Sequence, residues 1–159
     1  MDRIIGQWRQ ERPDLDPSGK AVTGRVVRAA DLISRRNEVA FAPLGIKGGE
    51  YSALSALRRS GDPYELSPSQ ISEHLMVTSG GLSLMVDRLE RAGLVRRRPH
   101  PEDRRSVLVS LTDDGLRTID EAMTAHAAVE QEVVSGLSAR EVSQLAGLLA
   151  KLLRTNEQP

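Results

Sequence analysis

Residues 67–115 read SPSQISEHLMVTSGGLSLMVDRLERAGLVRRRPHPEDRRSVLVSLTDDG. Ser67-Pro68-Ser69-Gln70 is a helix start: Ser67 can cap, Pro68 suits the first helical position, and Gln70 can reach back to close a capping box. Ile71 and Leu75 fall one turn apart on one face. Met76-Val77-Thr78-Ser79 reads as a tight turn, with Thr78 or Ser79 capping a second helix. That helix carries Leu82, Met85 or Val86, and Leu89 at inward spacing, and Gly93 ends it as a left-handed C-terminal residue. Two short helices joined this closely form a helix-turn-helix, whose second helix is shaped to enter a major groove.

The residues after Gly93 extend the unit. Leu94-Val95-Arg96-Arg97-Arg98 and Ser106-Val107-Leu108-Val109-Ser110-Leu111 are β-prone runs, the second alternating with period two. Between them lies Pro99-His100-Pro101-Glu102-Asp103-Arg104-Arg105, a proline-punctuated, arginine-rich tip. A basic-tipped hairpin beside a helix-turn-helix is a winged helix, so the expected fold is mainly α with a small β wing. Thr112-Asp113-Asp114-Gly115 then caps another helix, its two carboxylates set against the positive end of the dipole.

Ile71-Ser72-Glu73-His74-Leu75, the run Val86 to Val95, and Asp103-Arg104-Arg105 followed by Leu111-Thr112-Asp113-Asp114-Gly115 resemble the MarR family of bacterial transcriptional regulators. The resemblance covers nearly the whole chain. Gln7 to Asp16 is similar to the amino-terminal extension of the subgroup that includes urate-responsive and pectinase-gene regulators. A winged-helix homodimer that binds palindromic double-stranded DNA is what this implies.

Outward from the core stretch, Ile4, Ile5 and Trp8 share a face of a short first helix that Pro13 ends. Trp8 is read either as a packing arm or as the roof of a ligand pocket, and one aromatic can do both. A long core helix is expected over about 18–41, with Val22, Val26, Ala29, Ala30 and Ile33 at three- and four-residue spacing, broken at Pro43-Leu44-Gly45. A further helix over about 48–60 carries Tyr51, Leu54 and Leu57 inward and ends at Gly61; Arg58 and Arg59 suit its C-terminal dipole. After the wing, Leu116, Ile119, Met123, His126, Val133 and Leu137 follow a helical rhythm. Ser138-Ala139-Arg140-Glu141 is a second capping box, opening a helix with Val142, Leu145, Leu148, Leu149, Leu152 and Leu153 on a broad apolar stripe. One small domain cannot readily bury that stripe and the first helix alone. A twofold dimer is therefore expected, with Ile4, Ile5, Leu137, Leu145, Leu149 and Leu152 in its interface. The 159 residues form one domain, with 62–111 as the DNA-reading unit and 1–61 and 112–159 as the dimerisation and ligand region.

Composition narrows the function classes. Cysteine is absent, which excludes disulfides, thiolate metal sites and cysteine redox switches. No apolar run approaches the roughly 18 residues of a membrane span, and the start lacks a signal-peptide pattern, so a soluble cytoplasmic protein is expected. Net charge is zero, with arginines gathered at Arg58, Arg59, Arg88, Arg91, Arg96, Arg97, Arg98, Arg104 and Arg105 and acids in 113–141. Local field outweighs that sum. His74, His100 and His126 are scattered without metal-ligand spacing, and Gly80-Gly81 is too short for a phosphate loop, so no enzyme, metal or cofactor is expected. His74 is placed on an exposed face and His126 as a satisfied core histidine.

The expected DNA-contacting set is Ser67, Ser69, Gln70, Thr78, Ser79, Gly80, Ser83, Leu84, Arg88 and Arg98, with Asp103, Arg104 and Arg105 at the wing tip. Serines can meet either base edges or phosphates, and Leu84 can touch a thymine methyl. Leu84-Met85 stands where the subgroup commonly carries Asn-Arg, which shifts selectivity toward Arg104 or Arg105 in a narrow minor groove. The subgroup's urate pocket is similar to a set of Trp, Asp and two Arg. Trp8 and Arg97 match, while Ser52 and Met85 replace the others. A more apolar aromatic or phenolic acid is expected instead, lined by Trp8, Val26, Ala30, Tyr51, Ser52 and Met85 with Arg97 at its carboxylate. The rival reading is a winged helix that binds protein and has lost DNA recognition.

Overall fold

The computed structural model describes residues 1–75, 79–99 and 107–156, and of 79 and 80 only their place in a helix. Helices α1 (Asp2–Glu11), α2 (Ser18–Phe41), α3 (Gly48–Arg59), α4 (Pro68–Leu75), α5 (Ser79–Arg91), α6 (Asp113–Val134) and α7 (Ala139–Asn156) surround a small sheet of β1 (Glu65–Leu66), β2 (Val95–Pro99) and β3 (Val107–Leu111). The order is β1-β3-β2, antiparallel throughout, with Arg97 opposite Val109 and Leu66 opposite the same residue on the other edge.

Local chemistry sets the boundaries. The Ser67 backbone N–H donates to Gln70 Oε1 at 2.8 Å and the Gln70 N–H donates to Ser67 Oγ at 3.3 Å, the reciprocal box read from sequence. Ser138 and Glu141 repeat it at the start of α7, with the Ser138 N–H 2.8 Å from Glu141 Oε2. Thr112 Oγ1 accepts the Gly115 N–H at 2.9 Å while its hydroxyl donates to the Gly93 carbonyl at 2.6 Å. One side chain thus caps α6 and ties it to the end of α5. Gly93 has φ +73°, the left-handed conformation that lets α5 stop and β2 begin. Gly115 passes so close to the Leu94 carbonyl that no Cβ fits.

Phe41, Leu54, Leu57, Ile71, Ile119 and Val109 are fully buried, joining the end of α2 with α3, α4, β3 and α6 in one core. This core underlies the reading unit, whereas the terminal helices are poorly covered. The expectation that α2 is a core helix is corrected: Phe41 alone among its residues is buried, and Val22, Val26, Val27 and Val39 are exposed within the protomer. Helical periodicity marks an apolar face without saying whose surface covers it. Helix α7 has no buried residue, and Leu148 is 66% exposed. Ile5 is buried, while Ile4, Leu137, Leu145 and Leu152 are exposed and Leu149 is half-buried. Helix α6 ends at Val134, so Leu137 sits in the connection to α7, not within a continuous helix. Strand β1, two residues long, has no counterpart among the elements expected from the sequence.

Among the described residues no helix is long and apolar enough to cross a membrane.

Candidate nucleic-acid interface

Helix α5 buries Leu82, Met85, Val86 and Leu89, so its remaining surface is what it can offer to a ligand. Leu84 lies on the face opposite that buried stripe and is 67% exposed; Ser83 beside it is also exposed. The polar N-terminal turn of α4, with Ser67, Ser69 and Gln70, flanks the helix-turn-helix. Ser67 and Gln70 already serve the cap, and Ser67 Oγ lies 2.9 Å from Ser69 Oγ. Thr78, Asp103, Arg104 and Arg105 lie outside the described residues, as do the side-chain environments of Ser79 and Gly80.

Four arginines of α3, α5 and β2 are engaged by carboxylates. Arg88 turns back to α3, its Nε 3.2 Å from Glu50 Oε1. Glu50 is only 7% exposed, and its second oxygen accepts the Lys47 N–H at 2.9 Å, so one carboxylate caps α3 and anchors α5. Arg97, on β2, reaches Asp87 Oδ1 at 2.6 Å and Glu90 Oε2 at 2.5 Å, while its backbone N–H donates to Glu90 Oε1 at 2.9 Å. The wing is thereby pinned to the second helix of the motif. Arg98 makes a two-pronged pair with Glu65 on β1, at 2.8 and 2.5 Å, spanning the sheet. Arg58 donates to Asp120 at 2.8 Å and lies 5.0 Å over the Tyr64 ring.

The titration of these groups follows. Partial burial opposes the charge on Arg97, but hydrogen bonds to Asp87 and Glu90 outweigh it and raise its pKa. The Glu65 carboxylate does the same for Arg98, and the Asp120 carboxylate for Arg58. These guanidiniums are held in ion pairs within the protomer. The carboxylates that hold them were missed in the sequence. Asp87 and Glu90, one turn apart and followed by three consecutive arginines, were the available signal.

The expected ligand set is not brought together within the protomer. Trp8, 44% exposed, lines a groove of 340 Å³ with Leu15, Pro17 and Lys20. Arg97 instead borders a 560 Å³ cleft between α4, α5 and the wing, with Pro68, Leu82, Val86 and Val109. Tyr51 stacks on Phe41 with ring centroids 4.6 Å apart, Ser52 donates to the Gly48 carbonyl at 3.0 Å, and Met85 is buried in the core. Val26 and Ala30 are exposed on α2. His126 sits half-buried, its Nδ1 3.0 Å from Asn37 Oδ1 and its ring 4.8 Å from that of Tyr51, as expected of a satisfied interior histidine. His74 is exposed.

Residues 44–106 match the model of the MarR family. The chain is 40% identical to the HTH-type transcriptional regulator PecS of Dickeya dadantii, over 94% of this chain and 90% of that one. It is 34% identical to the multiple antibiotic resistance protein MarR of Salmonella typhimurium, over 71% of this chain and 77% of that one. Its fold is similar to a mutant MarR from E. coli complexed with operator DNA, with TM-score 0.74 and 28% identity over 92% of this chain and 97% of that one.

Proposed function

Because the chain belongs to the MarR family of helix-turn-helix transcriptional regulators, we propose that it binds a palindromic operator as a homodimer and regulates transcription there. The observation that carries this is the outward face of α5, with Ser83 and Leu84 exposed beside a wing that Arg97 fastens to the same helix. A pinned wing and helix approach a duplex as one rigid head, α5 in the major groove and the tip residues Arg104 and Arg105 at the adjoining minor groove or phosphates. Ser67, Ser69 and Gln70 around the start of α4, with Thr78 and with Ser79 and Gly80 at the start of α5, meet the backbone. Asp103 steadies the tip. Arg88 and Arg98, engaged by Glu50 and Glu65, support the head from behind.

Residues 62–111 form that head, and 1–61 with 112–159 hold two heads a helical turn apart. The exposed apolar residues Ile4, Leu145, Leu148 and Leu152 support a partner protomer covering the terminal helices. The regulator works in the cytoplasm as a repressor released by a small aromatic or phenolic acid. The groove at Trp8, with Lys20 on its rim, supports such a guest once the dimer completes it. The protein-interaction alternative has no observation in its favour. Selection of bound duplexes from a genomic library, with and without aromatic acids, tests both parts. Enrichment of a palindrome supports the operator, and its loss with acid supports the ligand. An unenriched pool contradicts the first, and Trp8 fluorescence unchanged across the acids contradicts the second.

A further inference from the structure

Among the described residues, the exposed face of α5 is short of hydrogen-bonding groups long enough to reach a base edge. Arg88 is drawn back to Glu50. Asp87 is held by Arg97, and the Arg91 guanidinium donates from its Nε to the Asp87 carbonyl at 3.1 Å. Of the described residues in the first turns of the helix, Leu84 projects, with the short hydroxyl of Ser83 beside it. An isolated exposed leucine on a protein surface is ordinary. This one stands on the outward face of the second helix of a helix-turn-helix, where side chains meet base edges.

A leucine cannot donate or accept a hydrogen bond. In the major groove one base alone offers an apolar group, the 5-methyl of thymine. Set against a cytosine amino group or a purine edge, the isobutyl group strips water from a polar atom without replacing its hydrogen bond. We infer that Leu84 is a specificity-determining residue that reads a thymine methyl in each half-site. The inference rests on the operator reading above and deepens it by naming the chemical group recognised. The helix selects A·T pairs in the major groove by apolar contact, where an arginine or asparagine would select by hydrogen bonding.

The test replaces each thymine of a library-selected duplex in turn by deoxyuridine, which keeps base pairing and removes only the methyl. Binding is measured by fluorescence anisotropy with the full-length protein and with Leu84→Ala, a change on an exposed helical position that leaves the core untouched. Loss of one buried methyl is expected to weaken wild-type binding about fourfold per half-site. The same replacement should leave Leu84→Ala unaffected. A flat thymine scan in the wild type overturns the inference, as do equal losses in both proteins. In those cases tight duplex binding still stands, and with it the operator reading. A protein that binds no duplex overturns both.

Discussion

Arg88→Ala removes the partner of a carboxylate that water barely reaches. Glu50 is 7% exposed and keeps one hydrogen bond, from the Lys47 N–H at 2.9 Å, while the contact with Arg88 Nε at 3.2 Å is lost. Breaking a fully buried ion pair costs about 3–5 kcal/mol. Here the Arg88 side chain is 50% exposed, so water can enter the space it vacates, and about 2 kcal/mol is expected. Glu50→Gln keeps an acceptor for the Lys47 N–H and loses only the charge, at a cost of about 1 kcal/mol. The double variant has no orphaned charge and should also lose about 1 kcal/mol, well short of the additive ~3 kcal/mol. Urea unfolding followed by circular dichroism at one protomer concentration measures all four proteins. Additive losses would refute the pairing. The double variant should also keep the wild-type salt dependence of duplex binding, because the Arg88 charge is already neutralised by Glu50; a slope shallower by about 1 would place Arg88 on a phosphate.

Gly115→Ala drives a Cβ into the Leu94 carbonyl, backbone against backbone, and should cost about 3 kcal/mol, read as a large drop in Tm. Leu54→Ala opens a cavity at a fully buried position and should lower stability by about 2–5 kcal/mol in the same assay. The Ser138 hydroxyl and backbone hold the Glu141 carboxyl below its ordinary value. A depressed pKa stabilises the folded state fully above the unfolded value and loses that contribution as pH falls through the folded value. Helicity between pH 6 and pH 3 should therefore fall further in the wild type than in Glu141→Gln; parallel titrations would contradict the cap. Arg105→Ala should weaken duplex binding by about 1–3 kcal/mol, and unchanged affinity would remove that residue from the interface.

Helix boundaries were legible because each has a local cause. Pro43-Leu44-Gly45 after Phe41, Ser67 with Gln70, Gly93, Thr112 and Ser138 with Glu141 stop or start chain segments through groups within a few residues of one another. Strand β1 escaped because two residues, Glu65 and Leu66, cannot show an alternation; their pairing with Ser110 and Val109 is a tertiary event. The inner faces of α4 and α5 followed from periodicity, yet the same signal on α2 placed Val22 and Val26 in a core they do not occupy in the protomer. The reading head was recognisable from its motif, but the state of its arginines was not. Arg98 meets Glu65 across the sheet and Arg88 meets Glu50 from another helix, contacts between residues tens of positions apart. A run of arginines therefore does not show in the sequence that part of it is paired with carboxylates of the same chain.

The most direct measurement is the affinity of the full-length protein for a selected palindromic duplex across a range of salt concentrations, with stoichiometry from the same titrations. Two protomers per duplex are expected. The paired tips supply Arg104 and Arg105 twice over, so log Kd against log salt should have a slope of about 4 or steeper in magnitude. One protomer per duplex, or an affinity indifferent to salt, would contradict a dimer gripping DNA through its wings.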